Sequence, residues 1–191
     1  MLDCVVDLEF TAIGPAHGGE LLDDDGRPFD EGEDRYFARA HYDQHLRGAG
    51  ELQIGDQRYR IAGFGLRDHS WGPRIWQAIP WYRWFPCAFD DGFAICLLVV
   101  RKGDGEYVET GFIHDGSGKP LHASNIRLQT DYDANQYPTG FTLHCQDDRA
   151  RRYEIRGETL SSVPCRHWRR DGRRLDRQVT HRRMHDALPL R

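Results

Sequence analysis

Most of the chain follows a hydrophobic pattern with a period of two. From Cys4 to Thr11 the residues alternate, with Cys4, Val6, Leu8 and Phe10 on one face and Val5, Asp7, Glu9 and Thr11 on the other. That alternation predicts a half-buried strand, which Gly14-Pro15 ends. From His45 the pattern becomes a meander. Residues 46–54 and 58–64 flank a short Gly55-Asp56-Gln57 loop, and residues 85–89 and 93–101 flank Asp90-Asp91-Gly92. Gly103-Asp104-Gly105 precedes a strand over 106–114, and Asp115-Gly116-Ser117-Gly118 closes it. Further strand patterns cover 124–132, 139–146, 152–160, 164–169 and 177–184. Helical patterning is confined to short stretches such as residues 36–42. Turns recurring about every ten residues predict a single all-β domain over 1–191, an antiparallel barrel or a strongly curved sheet.

Two segments depart from the alternation. Residues 18–35 are rich in glycine and acids, including Asp23-Asp24-Asp25-Gly26 and Asp30-Glu31-Gly32-Glu33-Asp34, and predict a solvated, flexible loop. This run lacks the ligand spacing and terminal glutamate of a helix-loop-helix calcium site. Residues 93–100 are the longest apolar run, of strand length and far too short to span a bilayer as a helix. The acidic amino terminus does not resemble a secretory signal, so the expected compartment is the cytoplasm. Five cysteines form an odd set with no Cys-x-x-Cys pair, which points to reduced thiols, with Cys96 as a small buried hydrophobe.

Net charge is −4, unevenly spread: residues 149–191 carry thirteen arginines against five acids, leaving −12 on the remainder. A basic tail can serve nucleic acid or an anionic surface. Here the arginines alternate with strand-forming residues, only two lysines occur in the chain, and recognition motifs are missing. The bias reads as genome composition, and no nucleic-acid partner is expected.

Candidate chemistry concentrates in residues 63–76, Gly-Phe-Gly-Leu-Arg-Asp-His-Ser-Trp-Gly-Pro-Arg-Ile-Trp, read as a bent strand end or loop. Arg67, Asp68, His69, Trp71 and Arg74 lie within it, and Trp76, Trp81, Tyr82, Trp84 and Phe85 complete an aromatic cluster that holds four of the five tryptophans. Polar groups among aromatics suit the wall of a small-molecule pocket. A structural account stands beside this one, with Asp68 paired to Arg74, His69 donating to a backbone carbonyl and the tryptophans filling core. Extended backbone over 81–85 puts Trp81, Arg83 and Phe85 on one face and Tyr82 and Trp84 on the other, the latter pair favoured for the ligand side. His41 and His45, with Asp43 between them and His69 able to join from a neighbouring strand, offer a weaker metal alternative that lacks a clear third ligand. Asp68-His69-Ser70 cannot form a triad, because adjacent side chains on a strand diverge.

The segment GFGLRDHSWGPRIW, followed by WYRWF and FDDGFA, resembles the second half of the lipocalin-like superfamily of carotenoid 1,2-hydratases (hydroxyneurosporene synthases). Tocopherol cyclases and some cofactor-free Diels-Alderases are relatives of that superfamily in fold. A bacterial branch with an Asp-His-Ser-Trp-Gly-x-Arg signature is the nearer match, and VDLEFTA and HYDQHLRGAGELQIGDQRYRIAGFG extend the resemblance over roughly residues 3–185. The resemblance implies a lipocalin-like fold of two β-units, of which this chain supplies the carboxy-terminal one, so a homodimer or a partner β-unit is expected. It also implies an apolar, isoprenoid- or lipid-like ligand and no metal or organic cofactor. On that reading Asp68 is the acid and His69 its relay, with Arg67, Trp71, Arg74, Trp76, Tyr82 and Trp84 around the ligand. A cofactor-independent hydratase, cyclase or isomerase and a non-catalytic carrier are both open, the second needing only Arg74 on a ligand carboxylate and tryptophans along the cleft.

Overall fold

The computed structural model describes residues 3–20, 39–72, 81–101 and 107–163, and these residues are all-β with no helix. Ten strands form two antiparallel sheets. β1 (Cys4–Ala12), β2 (His17–Glu20), β3 (Ala40–Ile54) and β4 (Gln57–Trp71) make the first. β3 is its spine: β1 and then β2 pair with one edge, and β4 runs along the whole of the other. β5 (Trp81–Ala88), β6 (Ala94–Arg101), β7 (Tyr107–His114), β8 (Leu121–Tyr132), β9 (Pro138–Asp147) and β10 (Arg152–Glu158) follow as a meander in neighbour order, curled into a half-barrel.

The half-barrel folds around Ile95, Leu97 and Val99 of β6, Ile113 of β7, Leu121, Ala123 and Ile126 of β8, Leu143 and Cys145 of β9 and Ile155 of β10. Trp81, Phe85 and Cys87 of β5 pack against this cluster. Gly111 lets Leu97 lie flat across β7, since a Cβ there would meet Leu97 Cδ2 at 2.6 Å and the Cys96 carbonyl oxygen at 2.4 Å. β6 explains the apolar run of the sequence. Its odd residues fill the half-barrel, while Ala94 and Cys96 on its other face are equally buried where the first sheet crosses. That junction is aromatic and polar: His17 lies 4.4 Å from Phe112, and His45 lies 5.6 Å from Phe112 and 6.0 Å from His114 between ring centres.

Several expectations change on contact with the structure. The helical patterning over 36–42 gives way to strand from Ala40, because β3 pairs with both β2 and β4 there. The expected loop over 18–35 begins as strand, since Gly18–Glu20 belong to β2. Gly18, at φ 118°, lies so close to β3 that a Cβ would meet the His41 carbonyl oxygen at 2.3 Å. The rest of that loop, the Gly103-Asp104-Gly105 turn and the strand patterns over 164–169 and 177–184 lie outside the described residues. Cys4, Cys87, Cys96 and Cys145 are free thiols. Among the described residues no helix is long and apolar enough to cross a membrane.

Candidate functional site

The two-residue turn after Ile54 sets the geometry of everything upstream and downstream of it. With Ile54 opposite Gln57, the β3–β4 register continues unbroken to Ala40 opposite Trp71, placing Asp43 across from Asp68 and Tyr42 across from His69. Because side chains alternate, this ladder sorts the 63–71 segment onto two faces. One face carries Asp68 with His41 and Asp43. The other carries Arg67, His69 and Trp71 with Tyr42, Gln44 and Leu46. The structure therefore separates Asp68 from His69, and the expected proton relay between them has no geometry behind it. Among the described residues no tryptophan encloses Asp68: its side chain is 47% exposed, Trp71 projects from the opposite face, and Trp81 packs on the half-barrel core. Arg74 and Trp76 lie outside the described residues.

On the Asp68 face, the His41 Nε2 sits 2.8 Å from Asp68 Oδ1 and 3.5 Å from Asp43 Oδ1. Asp43 is the buried member, 6% exposed, wedged where the first sheet meets β6. The Cys96 thiol donates to its Oδ2 across 3.4 Å, and the Trp84 indole N–H donates to the Cys96 sulfur across 3.2 Å. Burial pushes the Asp43 carboxyl above its ordinary value, a rise that the nearby His41 and the Cys96 contact partly offset. Cys96, expected only as a buried hydrophobe, is buried and is also the link between Trp84 and Asp43. Burial, together with the Asp43 charge, pushes its thiol well above the ordinary range, so it acts as a donor and not as a nucleophile. His45, the partner of His41 in the metal alternative, shares this strand face. Its ring packs on Phe112 and His114, however, and burial lowers it to about 4, a neutral imidazole at physiological pH.

On the opposite face, the Arg67 guanidinium lies 5.1 Å over the Tyr42 ring, and His69 stacks 5.4 Å from both Tyr42 and Trp71. Beside them runs an open groove of about 640 Å³ lined by Phe10, Ala12, Gln44, Leu46, Gly65, Leu66 and Arg67. Its apolar floor is the alternating face of β1 continued across β3 and β4. Tyr82 and Trp84 do share the outer face of β5, as the alternation predicts, while Arg83 stacks 5.0 Å over Trp81. Trp84 faces the Asp43 side of the first sheet and not the groove. Asp43, between the two histidines of the metal alternative, is the residue whose weight the strand changes: on extended backbone it shares the face of His41 and lies opposite Asp68, whereas helical patterning pairs His41 with His45 alone.

A crystal structure of a protein from Nitrosomonas europaea, provisionally named AttH, is similar in fold: TM-score 0.51 at 17% identity, over 76% of this chain and 49% of that one. The chain thus spans about half the length of that structure. No curated protein matches the chain. Residues 2–187 match the model of a family described as DUF7064, a domain of unknown function, and the chain belongs to that family.

Proposed function

We propose that this chain binds an apolar small molecule with an anionic end in the groove across β1, β3 and β4. The observation that carries the reading is the groove's lining: Phe10, Ala12, Leu46 and Gly65 offer an apolar floor, and Arg67 and Gln44 stand beside it as polar groups that would orient a head group. Arg67 takes the role that the sequence suggested for Arg74, pairing a carboxylate through two N–H donors. The resemblance of residues 63–76 to the carotenoid hydratase superfamily supports the same ligand class, isoprenoid- or lipid-like. Exposed apolar side chains on the groove face, Val6 at 60% and Phe10 at 54%, support the expected homodimer or partner β-unit, which would roof the groove if laid over them.

Hydratase or cyclase chemistry needs an acid at the apolar substrate. The described lining supplies a guanidinium and an amide, whereas Asp68 and Asp43 project from the other side of the sheet. These placements favour a carrier over a cofactor-independent lyase or isomerase. The test is a fluorescence titration of the purified chain with parinaric acid, an apolar chain ending in a carboxylate. Saturable binding is expected, weakened about 10- to 100-fold by Arg67→Met through loss of a charge-assisted contact. Absence of binding, or equal binding by Arg67→Met, would refute the groove reading. Mass spectrometry of isoprenoids recovered from the protein separates carrier from enzyme: unchanged ligand supports the carrier, and a hydrated or cyclised product the enzyme.

A further inference from the structure

On the opposite side of the sheet from the groove, we propose that His41, Asp43 and Asp68 form a binding site for one divalent first-row transition metal ion, of the zinc class. Asp43 and Asp68 are direct partners across β3 and β4, an arrangement that like charges destabilise unless a cation lies between them. His41 shares their face, and one ligand atom from each of the three residues falls within 4.8 Å of the others. A single imidazole nitrogen carries one proton and serves one carboxylate well. Here it bonds Asp68 at 2.8 Å, and Asp43 Oδ1 is left buried without a hydrogen-bond partner. An unpartnered buried carboxylate oxygen aimed at an imidazole and a second carboxylate is what a metal ion satisfies.

The spacing is close to that of a coordination shell. Ligands about 2.0–2.2 Å from zinc stand roughly 3.3–3.5 Å apart in a tetrahedron. His41 Nε2 and Asp43 Oδ1 are 3.5 Å apart, and the half-exposed Asp68 carboxylate, 2.8 Å from the imidazole and within 4.8 Å of Asp43, has to swing away from His41 and towards Asp43 to complete the shell. The imidazole disfavours magnesium and calcium, and the absence of thiolate from the three-ligand set disfavours copper(I). Cys96 holds the other Asp43 oxygen and is itself held by Trp84, so the buried ligand is oriented from behind. His41 and Asp68 both reach solvent, which leaves the remaining coordination position open to water.

Equilibrium dialysis of the full-length chain against zinc, with bound metal counted by mass spectrometry, is expected to give one ion per chain that excess magnesium does not displace. His41→Gln and Asp68→Asn change half-exposed side chains and are expected to fold, Asp68→Asn without metal melting no lower than the wild type because the facing charge is gone, while both weaken zinc at least ~100-fold. Cobalt in place of zinc should give visible absorption that both variants lose. Zinc binding that persists in folded His41→Gln and Asp68→Asn would place the ion elsewhere among the chain's ten histidines and overturn the proposal, as would no binding at all. Asp68→Asn should leave parinaric acid binding intact, so the metal site and the groove stand or fall separately.

Discussion

Filling the groove from its own floor tests ligand binding apart from folding. Gly65 lies in β4 opposite Leu46, and a Cβ built on it would have one neighbour within 4 Å, Phe10 Cε1 at 3.7 Å, which is ordinary van der Waals contact. That Cβ meets no backbone, so Gly65→Leu should be accommodated by the strand. Replacing glycine in a strand also removes some unfolded-chain entropy, so stability should change by less than ~1 kcal/mol. The new side chain has to lie across the floor between Phe10 and Leu46. If it covers on the order of 80 Å² of apolar surface, the ligand loses about 2 kcal/mol at roughly 25 cal/mol per Å². Parinaric acid should then bind about 30-fold more weakly. Gly63→Leu is the control. Gly63 is two residues away on the same face, has no neighbour within 4 Å of a built Cβ, and does not line the groove, so the same change there should leave binding within about twofold. Fluorescence titration gives the affinities and thermal melts confirm folding. Folded Gly65→Leu with wild-type affinity would refute the groove as the binding site.

Two further outcomes concern the scaffold. Gly111→Ala should destabilise by about 1–3 kcal/mol in urea unfolding, because its Cβ would meet the Cys96 carbonyl oxygen at 2.4 Å and the Leu97 Cα at 2.9 Å; an unchanged midpoint would contradict the tight β6–β7 approach. Acid should also weaken the β9–β10 hairpin. Asp147 is desolvated, which alone would raise its carboxyl, but the Tyr153 hydroxyl, the Arg151 amide and guanidinium and the Arg149 amide all donate to it, and the net value falls to about 2. The folded value lies below the ordinary 3.8, so this stabilisation is complete above pH ~4 and drains away as pH falls towards ~2. Circular dichroism melts across that window should show a steeper loss in the wild type than in Asp147→Asn.

Much of this arrangement was legible along the chain because turns and alternation are local. Gly55-Asp56 and Asp90-Asp91-Gly92 marked real hairpins, and Gly55 adopts φ 57° at its turn. The face assignment of β1 held as well, with Val6, Leu8 and Phe10 together on the groove side. The register that opposes Asp43 to Asp68 is set at the Gly55-Asp56 turn: Gln57, expected in the loop, is the first residue of β4 opposite Ile54, and a three-residue loop would shift every later pair by one. The helical patterning over 36–42 and the bend expected over 63–76 interrupt the period of two, and the continuous β3–β4 ladder is what sets Asp68 and His69 on opposite faces.

The sequence by itself determined strand positions, hairpin partners and which side chains share a face, because each is governed by backbone geometry over a few residues. Burial was decided by the tertiary structure. The apolar face of β1 reads like core yet stays open, with Phe10 over the groove, while Asp43, a charged residue on an unremarkable strand, is driven under β6. That outcome depends on how the half-barrel docks on the first sheet, bringing Cys96 fifty-three residues along the chain to Asp43 and Trp84 behind it. Such contacts have no local signature, because they arise from the packing of two surfaces whose curvature and crossing no single strand encodes.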